Sequence, residues 1–83
     1  IVLYYIMLDE DAIIEYDKDG YTIITRLNMS GLMRVLAELA REGFRQVRIT
    51  RYHIILRRGS EYVYLTYRIE GSDIIIESIR YQV

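Results

Sequence analysis

The residues able to do chemistry fall into three groups: a carboxylate-rich segment, a single histidine, and tyrosines interleaved with arginines. From Asp9 to Asp19, six acids (Asp9, Glu10, Asp11, Glu15, Asp17, Asp19) stand against Lys18 alone. Setting Gly20 on the invariant glycine of an EF-hand loop puts Glu15, Asp17 and Asp19 at its first, third and fifth positions. The bidentate glutamate required at the twelfth is here Arg26. The flanks read as strands, so the segment predicts a solvated turn and no metal site.

His53 is the only histidine. A serine nucleophile needs a base and a group to orient that base, and one histidine would have to serve any serine in the chain. A metal would need further ligands, which carboxylates such as Glu77 reach only across strands. Cysteine is absent, which removes thiolate sites and disulfides together. The glycines at 20, 31, 43, 59 and 71 occur singly, so no phosphate-cradling loop is present. Asn28-Met29-Ser30 matches a glycosylation sequon by letter and is better read as helix capping. The pattern predicts no catalytic residue, no metal and no cofactor: the chain reads as a non-enzyme.

Tyrosine and arginine carry more. From Phe44 to Arg58 there are five arginines (Arg45, Arg48, Arg51, Arg57, Arg58) and no acid, although the net charge is −1. Aromatic platforms on a sheet, flanked by arginines that track phosphate, bind single-stranded nucleic acid. Tyr62 and Tyr64 with Arg45, Arg48, Arg51, Arg57, Arg58 and Arg68 could make such a surface. Against this stand a pI near 5.8 and the absence of an RNP-type motif. The same residue types are enriched in protein interfaces. The first expectation is therefore a protein-interaction or assembly module, and single-strand binding is the alternative.

The elements that must position these residues are legible from glycine punctuation and apolar periodicity. Ala12–Tyr16 and Tyr21–Leu27 read as a hairpin about Asp17-Lys18-Asp19-Gly20, with Gly20 at a positive φ. Its register is open by one residue, so no faces are assigned there. Asn28 or Ser30 can cap a helix that Gly43 ends, with Met29, Leu32, Val35, Leu36 and Leu39 on one side. Arg34 and Glu38 are spaced to pair on the other. Gly59-Ser60 and Gly71-Ser72 read as two-residue hairpin loops, which sets Arg58 opposite Glu61 and Glu70 opposite Asp73.

That register gathers Ile54, Leu56, Val63, Leu65, Ile69, Ile74 and Ile76 on one face as the core under the helix. It places His53, Ile55, Arg57, Tyr62, Tyr64, Thr66, Arg68, Ile75, Glu77, Ile79 and Tyr81 on the other. A phase switch is expected between Thr50 and Tyr52, because Val47 and Ile49 have odd parity and Ile54 and Leu56 even. Ile1–Leu8 reads as a strand apolar on both faces, with a turn at Asp9-Glu10-Asp11.

The fold class predicted is α+β: an antiparallel sheet of six to seven strands, βββ-α-ββββ, with one helix between two hairpin halves, open or closed as a sandwich or barrel. One domain, 1–83, is expected, because no linker or low-complexity stretch interrupts the chain. A chain of 83 residues buries only about 60% of its unfolded surface, which makes a partner subunit the leading supplement to its core. A homodimer anchored by Tyr62, Tyr64, Ile75, Ile79 and Tyr81, with Arg57 and Arg68 in its polar set, is the sharpest form of that expectation; a foreign protein partner is the other. Ile1–Leu8 is shorter than the roughly 20 residues of a membrane span and lacks the basic start of a signal peptide. A cytoplasmic protein with no membrane partner is expected. Scarce side-chain amides, no cysteine and many charges give a hyperthermophile-like composition.

Overall fold

The structure, a computed structural model, describes Ile6 and residues 12–83. The turn expected at 9–11 lies outside the described residues. So does the strand expected over 1–8, apart from Ile6, which is helical and buried in the core.

The described elements run β1 (Ile13–Asp17), β2 (Gly20–Ile24), α1 (Met29–Arg41), β3 (Arg45–Ile49), β4 (His53–Arg58), β5 (Glu61–Glu70) and β6 (Asp73–Gln82). The six strands form one antiparallel sheet in the order β1-β2-β6-β5-β4-β3. This is the α+β class expected, with the helix between β2 and β3. The sheet is open: β1 and β2 extend it beside β6 and do not fold over it as a sandwich or barrel.

Local chemistry sets each element. The Asn28 side chain accepts the Gly31 N–H at 3.0 Å, so Asn28, not Ser30, is the N-cap. At the other end Gly43, at φ 95°, allows a Schellman closure: its N–H reaches the Ala40 carbonyl, and the Phe44 N–H reaches that of Leu39 at 2.9 Å. Leu32, Val35 and Leu39 are buried, whereas Met29 is exposed. Glu38 pairs with Arg41 one turn on, rather than with Arg34. Gly59 and Gly71 take φ 61° and 62°, and both expected registers follow: Arg58 opposite Glu61, Glu70 opposite Asp73. Gly20 has a different reason. A Cβ there would stand 1.9 Å from the Tyr81 carbonyl oxygen, so only glycine lets β2 lie beside β6.

The core sits between α1 and one face of the sheet. One apolar row crosses every strand on that face: Ile49, Ile54, Leu65, Ile79, Ile23, Ile14. A second runs Gln46, Leu56, Val63, Tyr81, Tyr21, Tyr16. Leu65, Ile79, Ile23 and Val63 have no exposed surface, which at about 25 cal/mol per Å² makes these rows the main source of stability. Ile54, Leu56, Val63, Leu65, Ile74 and Ile76 lie on this face as expected. Ile69 shares the face but is 71% exposed at the end of β5.

The phase change expected near 50–52 occurs in two steps. Val47 is a bulge between Gln46 and Arg48, and Thr50 then ties a tight turn by accepting the His53 N–H on its hydroxyl at 3.0 Å. A second phase change was not expected. In β6 the register passes from Tyr67 opposite Ile76 to Thr66 opposite Ser78, which leaves Glu77 as an extra residue. This bulge turns the rest of β6 over. Ile79 and Tyr81, expected on the outer face, lie on the core face; Ser78, Arg80 and Gln82 replace them outside.

Candidate functional site

The face of the sheet away from α1 carries two transverse rows, each running from arginine at the β3 edge to carboxylate at the β1 edge. The first is Arg48, Ile55, Tyr64, Arg80, Thr22, Glu15; the second is Arg45, Arg57, Tyr62, Gln82, Gly20, Asp17. None of these residues is fully buried, so no described element packs over them.

At the centre, Tyr62 and Tyr64 lie two residues apart on β5 and project from the same side of the pleat. Their rings stack 5.9 Å apart at 20°. The Arg57 guanidinium lies 5.9 Å from the Tyr62 ring centre, and its Nε donates to the Gly59 carbonyl at 2.7 Å, which holds the cation against the ring. Beside Tyr64 an open groove of about 360 Å³ is lined by the hydroxyls of Thr22, Thr66 and Ser78 and by His53, Arg80 and Gln82. His53 therefore belongs to a shallow polar surface. Its row continues through Thr66 and Ser78 without a carboxylate, and Glu77 sits at the bulge and takes Arg68 at 2.6 Å.

Charge pairing divides the cations. Arg68 is held by Glu70 and Glu77, both at 2.6 Å, and Arg80 by Asp17 at 3.0 Å. Arg45, Arg48 and Arg57 have no carboxylate partner among the described residues, and neither has Glu15. Arg51 lies over the Tyr52 ring in the β3–β4 turn, away from the tyrosine pair. Asp17 also accepts the Asp19 N–H at 2.8 Å, which closes the turn between β1 and β2.

Arg58, grouped by sequence with the phosphate-tracking arginines, is on the opposite face. It lies 4.4 Å from the Phe44 ring centre, donates to both Glu61 carboxylate oxygens (2.8 and 3.2 Å), and reaches the Glu42 carbonyl at the helix C-terminus at 2.7 Å. The Tyr81 hydroxyl donates to Glu61 as well, and the Tyr81 ring stacks on Tyr21 at 5.3 Å. Hydrogen bonds from Arg58 and then Tyr81 hold the Glu61 carboxyl below its ordinary value. The bond to Glu61 raises both Tyr81 and Arg58, which keeps the phenol neutral and the guanidinium charged. Burial is the main cause that raises Tyr21. This cluster closes the helix end onto the sheet and is structural.

Of the interface residues expected, Tyr62, Tyr64, Ile75, Arg57 and Arg68 do share the outer face, whereas Ile79 and Tyr81 are core. Thr22, Ser78, Arg80, Gln82 and Glu15 were missed. The first and last lie in the hairpin whose faces were unassigned. The other three follow from the Glu77 bulge, whose signal is present in sequence: after Ile76 the next apolar residue comes three positions on, at Ile79, and not two.

Compared with protein-family models, curated proteins and solved structures, the chain matches none. Among the described residues no helix is long and apolar enough to cross a membrane.

Proposed function

We propose that this chain is a non-enzymatic interaction and assembly module that associates with itself through the outer face of its sheet. The observation that carries the reading is the stacked Tyr62–Tyr64 pair, half-buried at the centre of a six-stranded face that no described element covers. Tyrosine is costly to leave wet and cheap to order, and a two-fold dimer is the simplest cover for such a surface. Arg57 beside Tyr62 and Arg68 further along β5 form a polar rim, with Ile55 opposite Tyr64 and Ile75 opposite Arg68 as aliphatic contributions. The test is mass in solution by size exclusion with light scattering across protein concentration. The expected result is a dimer whose dissociation constant rises at least about tenfold in Tyr64→Glu, the cost of putting a charge at an interface centre. A wild-type chain monomeric at every concentration defeats the reading.

A specific observation also favours single-strand binding. Arg45, Arg48 and Arg57, free of carboxylates among the described residues, adjoin the stacked tyrosines on one half of the face. This reading has lost Arg58 and Arg51, and Arg68 is already paired. It requires labelled oligonucleotides to shift at micromolar protein and low salt, with affinity falling steeply as salt rises.

A further inference from the structure

From the distribution of charge on this face, where Arg45, Arg48 and Glu15 lack an ion-pair partner among the described residues and Asp17 already holds Arg80, and resting on the self-association proposed above, we infer that the partner is a second copy seated face to face. The two-fold axis runs parallel to the strands, between β5 and β6. The reason is a mismatch within one chain. Arg48 and Arg45 stand at the β3 edge and Glu15 and Asp17 at the β1 edge, at opposite ends of the same two rows. Six strands spaced about 4.8 Å put those edges roughly 24 Å apart, well beyond a Debye length of about 8 Å, so they cannot neutralise each other in the monomer.

The sheet order β1-β2-β6-β5-β4-β3 has its midpoint between β6 and β5. A two-fold along that line lays β3 over β1, β4 over β2 and β5 over β6. Each row then meets itself reversed. Arg48 faces the partner subunit's Glu15, and Arg45 faces the partner subunit's Asp17. Tyr64 faces the partner subunit's Arg80, a cation–π arrangement. Arg57 faces the partner subunit's Gly20, which has no side chain to obstruct it. The perpendicular two-fold would set arginines on arginines and acids on acids. Aligned face-to-face packing is an ordinary solution for twisted sheets, and a face of this span approaches the roughly 800 Å² per partner of a standard interface.

The same charges could also meet edge to edge, with β1 of one copy continuing the sheet at β3 of the next. That contact leaves the tyrosines wet. It also uses an edge only five residues long and bulged at Val47, a device that discourages strand addition. Such pairing would be heterologous and open-ended, so mass separates the two arrangements.

The experiment is a charge exchange between two preparations, Arg48→Glu and Glu15→Arg, at exposed positions where circular dichroism checks that the fold is kept. In the face-to-face dimer each variant alone places two like-charged contacts across the axis, and its dissociation constant should rise about a hundredfold, roughly tenfold per contact. An equimolar mixture makes every contact complementary again and should restore a closed dimer, weakened by added salt. Variants that dimerise as the wild type does would overturn this geometry. A mixture that grows beyond two chains would overturn it in favour of edge pairing. In both cases the response of Tyr64→Glu still decides whether the face is used at all.

Discussion

Tyr21 and Tyr81 stack at 5.3 Å on the helix-covered face, and Tyr62 and Tyr64 stack at 5.9 Å on the open one. The two pairs share a residue type and a geometry and differ in what surrounds them. The Tyr81 hydroxyl is tied to Glu61, which Arg58 also grips, and the pair rests on Val63 and Leu56. The hydroxyls of Tyr62 and Tyr64 have no protein partner among the described residues, and their neighbours are an arginine and a polar groove. Stacking alone therefore says nothing about role. A tyrosine with both ring and hydroxyl satisfied belongs to the fold, and one with only its ring satisfied is available to something else.

The assignment of each pair to its face depends on the phase of β6 beyond its extra residue, so the severest way to break the comparison is to exchange two residues there, Ile79→Arg with Arg80→Ile. The exchange puts an arginine at the core position opposite Leu65 and an isoleucine outside, opposite Tyr64. Burying an unpaired arginine in place of an isoleucine costs on the order of the whole folding free energy, about 5–15 kcal/mol. Thermal unfolding followed by circular dichroism should show no cooperative transition. A melting temperature within a few degrees of wild type would mean that the two faces are not set by that phase.

A gentler contrast removes one hydroxyl from each pair. Tyr81→Phe should lose about 1 kcal/mol, the ordinary worth of a half-exposed hydrogen bond, whereas Tyr64→Phe should stay within about 0.5 kcal/mol in denaturant titration. Equal losses at both positions would erase the distinction.

The smallest effect is a titration. Glu61 is held below the ordinary glutamate value of 4.5, so the unfolded chain binds more protons there, and the stability it contributes is complete above that value. It is lost as pH falls through the lower, folded value. Tyr81 is raised above 10.0, so its share is complete below that pH and is lost as pH rises through the folded value. The stability gap between wild type and Glu61→Gln should accordingly be steady near neutrality and narrow below about pH 4.5. A gap that stays constant down to pH 2 would remove the cluster from the list of stabilising contacts.

Much of the fold was legible because its punctuation is local. Gly59-Ser60 and Gly71-Ser72 fix two registers through turn geometry alone, and Asn28 with Gly43 brackets the helix by capping. The outer surface was legible only in part. Parity propagates along a strand, so one unrecognised bulge misplaces every residue beyond it, and Ile79 and Tyr81 were lost in this way. The first hairpin gave no parity to begin with. Its pairing with β6 joins residues from opposite ends of the sequence, and no local rule carries that information. Glu15 and Thr22 could be placed on the face only by tertiary structure.

That pairing of β2 with β6 also bears on how the chain comes to be folded. The β1–β2 hairpin is the first described part of the sheet to be synthesised, and β6 is the last of the six strands. An isolated two-stranded hairpin is marginal in water, and β1 and β2 have no neighbouring strand to pair with until β6 has left the ribosome. Among the described pairings, this one closes the longest loop and carries the largest chain-entropy cost, and the glycine at position 20 is where the returning strand must find room. The charged rows across the outer face, and any assembly they direct, come into being only at that moment. The chain is thereby kept from presenting a complete association surface before its sixth described strand has been made.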